Sequence, residues 1–443
     1  MIRPLLMALL LGLFAAGCKQ SPPKPADSLD SIARDYVLLS LTIGEKEAGY
    51  IDAYYGPPEL QERAKAEARS ATLTALAKRT DDLRSRAVVF ESDDGLDGRR
   101  ARFLVSQLTA AATRLKMLQG QKLPFAEEAQ GLFGVRPELR PLTSFDPVLV
   151  RIDKLVPGDA PLWQRVEAFQ NRFTIPEDRL KPVFDAAIAE CKRRTAEHIS
   201  LPPGERFTME FVTGKSWSGY NYYQGGYRSL IQINTDLPIR ISRAVDLGCH
   251  EGYPGHHVLN ALLEQRLTRQ RGWIEFSVYP LYSPQSLIAE GSANYGIDLA
   301  FPGDERLRYE TSVLYPLAGL ATDQADDYLA LQKAMKALQG ARFTIARDYL
   351  EGRIDRARAV ELTQKYQLVS RARAEQSVAF IEDYRSYVIN YGLGEDMIRA
   401  DIEAVGSSPA ARWARMNALL SEPTLPADLK TQQHNLKLTV AIQ

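Results

Sequence analysis

A chain of 443 residues with 55 basic and 55 acidic side chains has no net formal charge, so charge gives no reason to expect nucleic acid or an anionic surface as a partner. Its length suffices for a large core, built as one big helical domain or as two lobes around a cleft. With only three cysteines, it excludes the disulfide framework of a small secreted domain.

The N terminus reads as an export signal: Arg3, an apolar run from Leu5 to Phe14, then Ala15, Ala16 and Gly17 before Cys18. The run is too short for an ordinary transmembrane helix, and a polar, Pro-rich tether follows it. The string AAGC resembles the bacterial lipobox, although Ala15 stands where a larger aliphatic residue is commoner. We therefore expect a signal peptide over 1–18, lipidation of Cys18, a flexible tether over 19–27, and an exported body anchored to the bilayer of the cell envelope by its lipid. A plain signal peptide with an incidental cysteine is the alternative.

Apolar residues at three-and-four spacing predict helices over 28–53, 59–89, 94–119, 160–172 and 177–199. Gly56-Pro57-Pro58, Pro157-Gly158 and Pro202-Pro203-Gly204 punctuate them, and the last closes an N-terminal helical lobe expected over 28–204. From 206 to 236 the chain turns aromatic and β-branched around Gly225-Gly226, which predicts a small sheet with a hairpin. Its edge would suit an extended peptide, although Ser216 to Gly226 would serve equally as a plain hairpin packing aromatics on the core. Beyond Pro238 the helical pattern returns to about 420, giving an expected catalytic lobe over 205–425 and a polar tail over 426–443. The fold class is thus mainly α. Cys191 and Cys249 sit in apolar-periodic stretches and read as two buried thiols, with a single bridge as the alternative.

Of five histidines, three (His250, His256, His257) fall within eight residues beside Glu251. Neutral imidazoles are favoured zinc ligands, and a Glu next to the first is the arrangement of a general base facing a metal-activated water. The familiar H-E-x-x-H spacing is broken, because Pro254 stands where the second histidine belongs. On a regular helix His256 would face away from His250, and His257 would lie about 10 Å further along. Pro254 has no N–H for the carbonyl of His250, and Gly255 is free to take the angles that re-enter a helix, so a bulged turn is expected. Looping out two residues makes His256 the ligand and leaves His257 as a supporting donor or substrate contact; the reverse requires three.

A catalytic zinc takes three protein ligands, and Glu290, on the apolar segment 287–301, supplies the third in this reading. A solvated acid near a helix start is the plainer alternative for it. Asn294, one turn later, or Asp246, one turn before His250, could orient a ligand imidazole. Tyr384, Arg385, Tyr387 and Tyr391 fall on or near one helix, where they could bind a carboxylate or stabilise an oxyanion, although such stripes are commonly packing.

His250-Glu251-Gly252-Tyr253-Pro254-Gly255-His256-His257 and Glu290-Gly291-Ser292-Ala293-Asn294-Tyr295 resemble the HExxPGHH and EGxAxY signatures of domain of unknown function family 885, over roughly residues 30 to 405. Ser292 replaces the Trp usual after that glycine. The family is similar to gluzincin metallopeptidases, which implies a zinc enzyme with His, His and Glu ligands. The expectation is one zinc on His250, His256 and Glu290, Glu251 as general base, and a peptide or other amide as substrate. A cell-envelope lipoprotein with a closed structural metal site, or a metal-dependent hydrolase of non-peptide bonds, are the alternatives.

Overall fold

The computed structural model describes residues 27–91 and 95–429. The signal peptide, Cys18, most of the tether and most of the polar tail therefore lie outside the described residues. The fold is mainly α, with two small sheets. No helix among the described residues is long and apolar enough to cross a membrane.

Ser28 opens the first helix, Leu29–Gly44, with a capping box shared with Ser31. That helix ends earlier than the 28–53 expected from periodicity. Residues Ile51–Tyr54 instead form β1, antiparallel to β5, Val278–Pro280. A partner more than two hundred residues away decides that segment, which local periodicity does not register. The expected helix over 59–89 is two, Pro58–Ala68 and Leu73–Val88, because Thr72 caps the second by accepting from the Ala75 N–H at 3.1 Å. Helices Leu96–Leu118, Leu162–Asn171 and Leu180–Ala196 lie within the ranges expected. Phe125–Phe133 and Asp146–Leu155 are helices that periodicity leaves unassigned.

The sheet expected over 206–236 has three strands: β2 (Arg206–Val212), β3 (Gly219–Gly225) and β4 (Arg228–Asn234), in the order β2, β4, β3. Strands β3 and β4 make the hairpin, whereas β2 runs parallel to β4. Tyr223, Ile231 and Ile233 turn into the main core, which draws on residues from Ile32 to Leu429. A second core joins Phe145, Ile152 and Val166 to Leu338, Ala341, Ile345, Val360 and Val378. Residues on both sides of position 204 contribute to each core.

Cys191 and Cys249 are joined in a disulfide, which corrects the reading of two separate thiols. The periodic pattern that buries each cysteine also brings the two together, with Cα atoms 5.4 Å apart. The bridge ties the Leu180–Ala196 helix to the residue immediately before His250.

Candidate metal centre

The helix Ser242–Leu247 widens into a π-type turn over Gly248–Gly252, and the chain re-enters a helix at His256–Leu263 after a cis Tyr253–Pro254 bond. This is the bulge expected from Pro254. At Gly255 the chain takes φ −76° and ψ −139°, and a Cβ there would lie 1.7 Å from the carbonyl oxygen of His250. Close approach of backbone to backbone therefore requires glycine at this position. The bulge turns the His256 ring back to meet that of His250.

The third group comes from the helix Pro284–Ala300, nearly all of which is buried. It crosses the helix Ile389–Glu403 where Gly291 meets Gly394, so closely that a Cβ on Gly291 would stand 2.4 Å from the Gly394 carbonyl oxygen. Glu290, next to that crossing, is thereby pushed in among the histidines. His250 Nε2 and His256 Nε2 are 3.1 Å apart, and Glu290 Oε2 lies 3.2 Å from the first and 3.6 Å from the second. Ligand atoms at about 2.0–2.2 Å around a tetrahedral zinc stand roughly 3.3 Å from one another, so the spacing fits such an ion.

Hydrogen bonds from outside the cluster orient two of the three converging groups. Asn294 Nδ2 donates to the Tyr391 carbonyl at 3.0 Å, so its Oδ1 is the acceptor for His250 Nδ1–H, also at 3.0 Å. This contact favours the proton of His250 on Nδ1, which leaves Nε2 as the nitrogen suited to a metal. Tyr387 donates to Glu290 Oε1 at 2.8 Å, while Oε2 is buried with no hydrogen-bond partner among the described residues. The neighbours of that oxygen are the two imidazole nitrogens, at 3.2 and 3.6 Å. Burial acts to raise the Glu290 carboxyl, but the two histidines outweigh it and hold the group far below the usual range. Burial likewise acts to lower His256, but the negative charge of Glu290 lifts it to about 9.

Glu251 shares this turn with His250 and lines the same cavity, with burial pushing its carboxyl up against the lowering pull of His250 and His256. Asn221 on β3 donates to the Glu251 backbone carbonyl at 2.7 Å, fixing the turn against the sheet. His257 is turned away from the cluster, with Nε2 2.8 Å from Glu205 and Nδ1 2.8 Å from Ser229 Oγ. Asp246, the other residue considered for orienting an imidazole, pairs instead with Arg306 at 2.8 Å and does not meet a histidine.

Of the tyrosine stripe, Tyr384, Tyr387 and Tyr391 line the cavity, whereas Arg385 turns away to Glu128 at 2.8 Å. The Tyr391 ring lies 6.4 Å from that of His250 in a stacked orientation. Sequence reasoning missed Asp52, which reaches the cavity from β1 and accepts from Tyr220 on β3. It also missed Arg342, whose helix Gln339–Leu350 lies about fifty residues beyond the second motif. Neither residue carries a local signal, because both belong to the site only through tertiary contacts.

The cavity has a volume of about 650 Å³ and extends from β3 and the histidines to the helices carrying Arg342, Arg373 and Phe380. It is open enough to admit a chain-like molecule past the cluster.

No protein-family model and no curated protein matches this chain. Among solved structures, a protein of Colwellia psychrerythraea named as a lipoprotein is similar at a TM-score of 0.48 and 15% identity, over 89% of this chain and 74% of that one. An M32 carboxypeptidase from Deinococcus radiodurans R1 is similar at a TM-score of 0.35 and 14% identity, over 88% of each chain. Both likenesses are loose, and the reading of the site rests on its own side chains.

Proposed function

We propose that this chain is a zinc-dependent hydrolase of peptide or other amide bonds, related to domain of unknown function family 885 and held in the cell envelope through Cys18. The observation that carries the reading is the convergence of His250 Nε2, His256 Nε2 and Glu290 Oε2, with Glu251 beside them in an open cavity. Among the described residues the group has three members, and His257 is engaged elsewhere, which leaves a coordination position for water or substrate. A closed structural site would need a fourth protein ligand. The Cys191–Cys249 bridge also fits a chain that folds in an oxidising compartment outside the cytosol.

When bound, zinc would polarise the substrate carbonyl and make water acidic enough to be deprotonated near neutral pH. Glu251 takes a proton from the attacking water and passes it to the amide nitrogen. The water oxygen joins the carbonyl carbon, the carbon–nitrogen bond breaks, and a carboxylate and an amine leave. Asn294 and Tyr387 hold His250 and Glu290 in place throughout.

The test is metal content by mass spectrometry on protein lacking residues 1–18, beside His256→Ala and Glu290→Ala, followed by a peptide-library digest with Glu251→Gln as control. We expect about one zinc per chain, lost in both variants, and cleavage abolished in Glu251→Gln with its zinc retained. A native chain that takes up no zinc on reconstitution, or a Glu251→Gln variant that cleaves as well as the native chain, would overturn the proposal.

A further inference from the structure

Among the described residues, six Lys and Arg side chains line the cavity; four of them pair with a carboxylate, while Lys333 and Arg342 do not. Lys336 pairs with Glu395 at 2.5 Å and Asp298 at 3.2 Å, and Arg306 with Glu310 at 2.7 Å and Asp246 at 2.8 Å. Arg243 meets Asp246 at 3.5 Å, Arg373 meets Glu167 at 3.6 Å, and Lys333 is exposed at the rim. Arg342 has no ion pair among the described residues, and its Nε is buried without a hydrogen-bond partner.

Its guanidinium, on a half-buried side chain, thus keeps donors that no acceptor of the chain takes up, and Nε among them has lost its water. Burial holds its pKa below the ordinary arginine value. Some relief comes from the face of Phe380, 5.0 Å from the guanidinium carbon. The backbone beneath is firmly placed, since Ala341 and Ile345 of the same helix are packed into the second core. Such a group is prepared for a planar anion from outside the chain.

Its position relates it to the metal centre. From the His250 ring, Tyr391 follows at 6.4 Å, Phe380 lies 6.0 Å beyond, and Arg342 covers Phe380. This aromatic wall bounds the distance between cluster and guanidinium at about five residues of extended chain, at roughly 3.4 Å each.

We infer that Arg342 is the anchor for the α-carboxylate at the end of a peptide substrate, so that the bond presented to Glu251 lies within a few residues of the substrate's carboxyl terminus. This rests on the hydrolase reading for its catalytic consequence, but the anchor itself is a binding property that is measured without turnover. The fork donates to the two carboxylate oxygens side by side, and the Tyr391–Phe380 wall flanks the intervening side chains. An internal stretch of polypeptide brings no such anion to the guanidinium, which therefore selects for chain ends.

The experiment is a competition for retention on immobilised, metal-stripped protein between two equimolar random tetrapeptide libraries, one ending in free carboxylates and one in carboxamides. We expect the free acids to be enriched about ten- to hundredfold, the range of a charge-assisted hydrogen-bonded pair. The enrichment should fall to near one in Arg342→Met and Arg342→Gln and be partly kept in Arg342→Lys. Zinc content and thermal melting of each variant serve as the check on folding. Equal retention of the two libraries, enrichment that survives in a folded Arg342→Met, or selection of amides bearing Asp or Glu over free acids would each overturn the inference. Failure of the hydrolase reading appears separately, as absent zinc or absent cleavage in a protein that still prefers free acids.

Discussion

Replacing Asn294 by Ala isolates the contribution of the imidazole's orientation, because Asn294 touches the metal centre only through His250 Nδ1. Two part-buried hydrogen bonds are lost, that from His250 and that to the Tyr391 carbonyl, both at 3.0 Å. At about 1 kcal/mol each, fold stability should fall by roughly 2 kcal/mol. Zinc affinity should fall further than stability alone explains, since His250 is then free to rotate or to carry its proton on Nε2. Loss of such a supporting acceptor costs about 10–100-fold in metal affinity, equivalent to about 1.4–2.7 kcal/mol. The assay is competition for zinc with a chromophoric chelator at fixed pH, with urea unfolding of the metal-free protein measured in parallel. Asn294→Asp keeps an acceptor and should hold affinity near that of the native chain. If Asn294→Ala binds zinc within about twofold of the native chain while the stability loss is present, the claim that this contact sets the tautomer is wrong.

The Cys191–Cys249 bridge closes a loop spanning 58 positions, for which the chain-entropy model gives about 4 kcal/mol; the double Cys→Ala variant should lose up to that much stability in denaturant unfolding, and a native-like midpoint would mean that the bridge constrains little. Glu205, only 6% exposed at its side chain, is pushed up by burial but brought down to about 2 by donors from His257, Lys192 and Tyr253. Because its folded pKa lies below the unfolded one, its contribution is complete above pH of about 4.5 and is lost as pH falls towards 2, an upper bound of about 3 kcal/mol. The stability difference between the native chain and Glu205→Gln should therefore shrink across that window, and a difference independent of pH would refute the assignment. Gly255→Ala should abolish zinc binding or folding, since its Cβ would meet the His250 carbonyl oxygen at 1.7 Å, whereas Gly252→Ala meets only the Phe207 ring at 3.1 Å and should cost about 1 kcal/mol; equal effects in a melting assay would discount the close-approach argument.

What is legible in the sequence follows the range of the interactions. The helices with strong three-and-four periodicity lie where that pattern places them, because each buries one stripe and local spacing is enough to specify it. The helical reading of β1 fails because its pairing to β5 is a tertiary choice, with nothing in Ile51 to Tyr54 to announce the partner. The bulge can be read from Pro254 alone, since the missing N–H and the ring clash act on the carbonyl one turn back. The role of Gly255 cannot, because it depends on where the His250 carbonyl comes to rest. Asn294 is legible at one helical turn from Glu290, while the placement of Tyr387 and Arg342 requires knowing which helices cross at Gly291 and pack across the cavity.

These features locate the precision of the site in backbone approaches more than in the ligands themselves. Two contacts that only glycine permits, Gly255 against His250 and Gly291 against Gly394, set the turn that carries both histidines and the helix that carries Glu290. The disulfide fixes the chain one residue before His250, and Asn221 fixes it one residue after. With the turn held from both ends, His250 has little freedom beyond rotation of its ring, which Asn294 removes. A centre built this way need not be organised by the ion that enters it, so the cost of ordering the ligands falls on folding and not on binding. Arg342 follows the same division: it sits on a helix packed into the second core, so its position relative to the cluster is set by the fold.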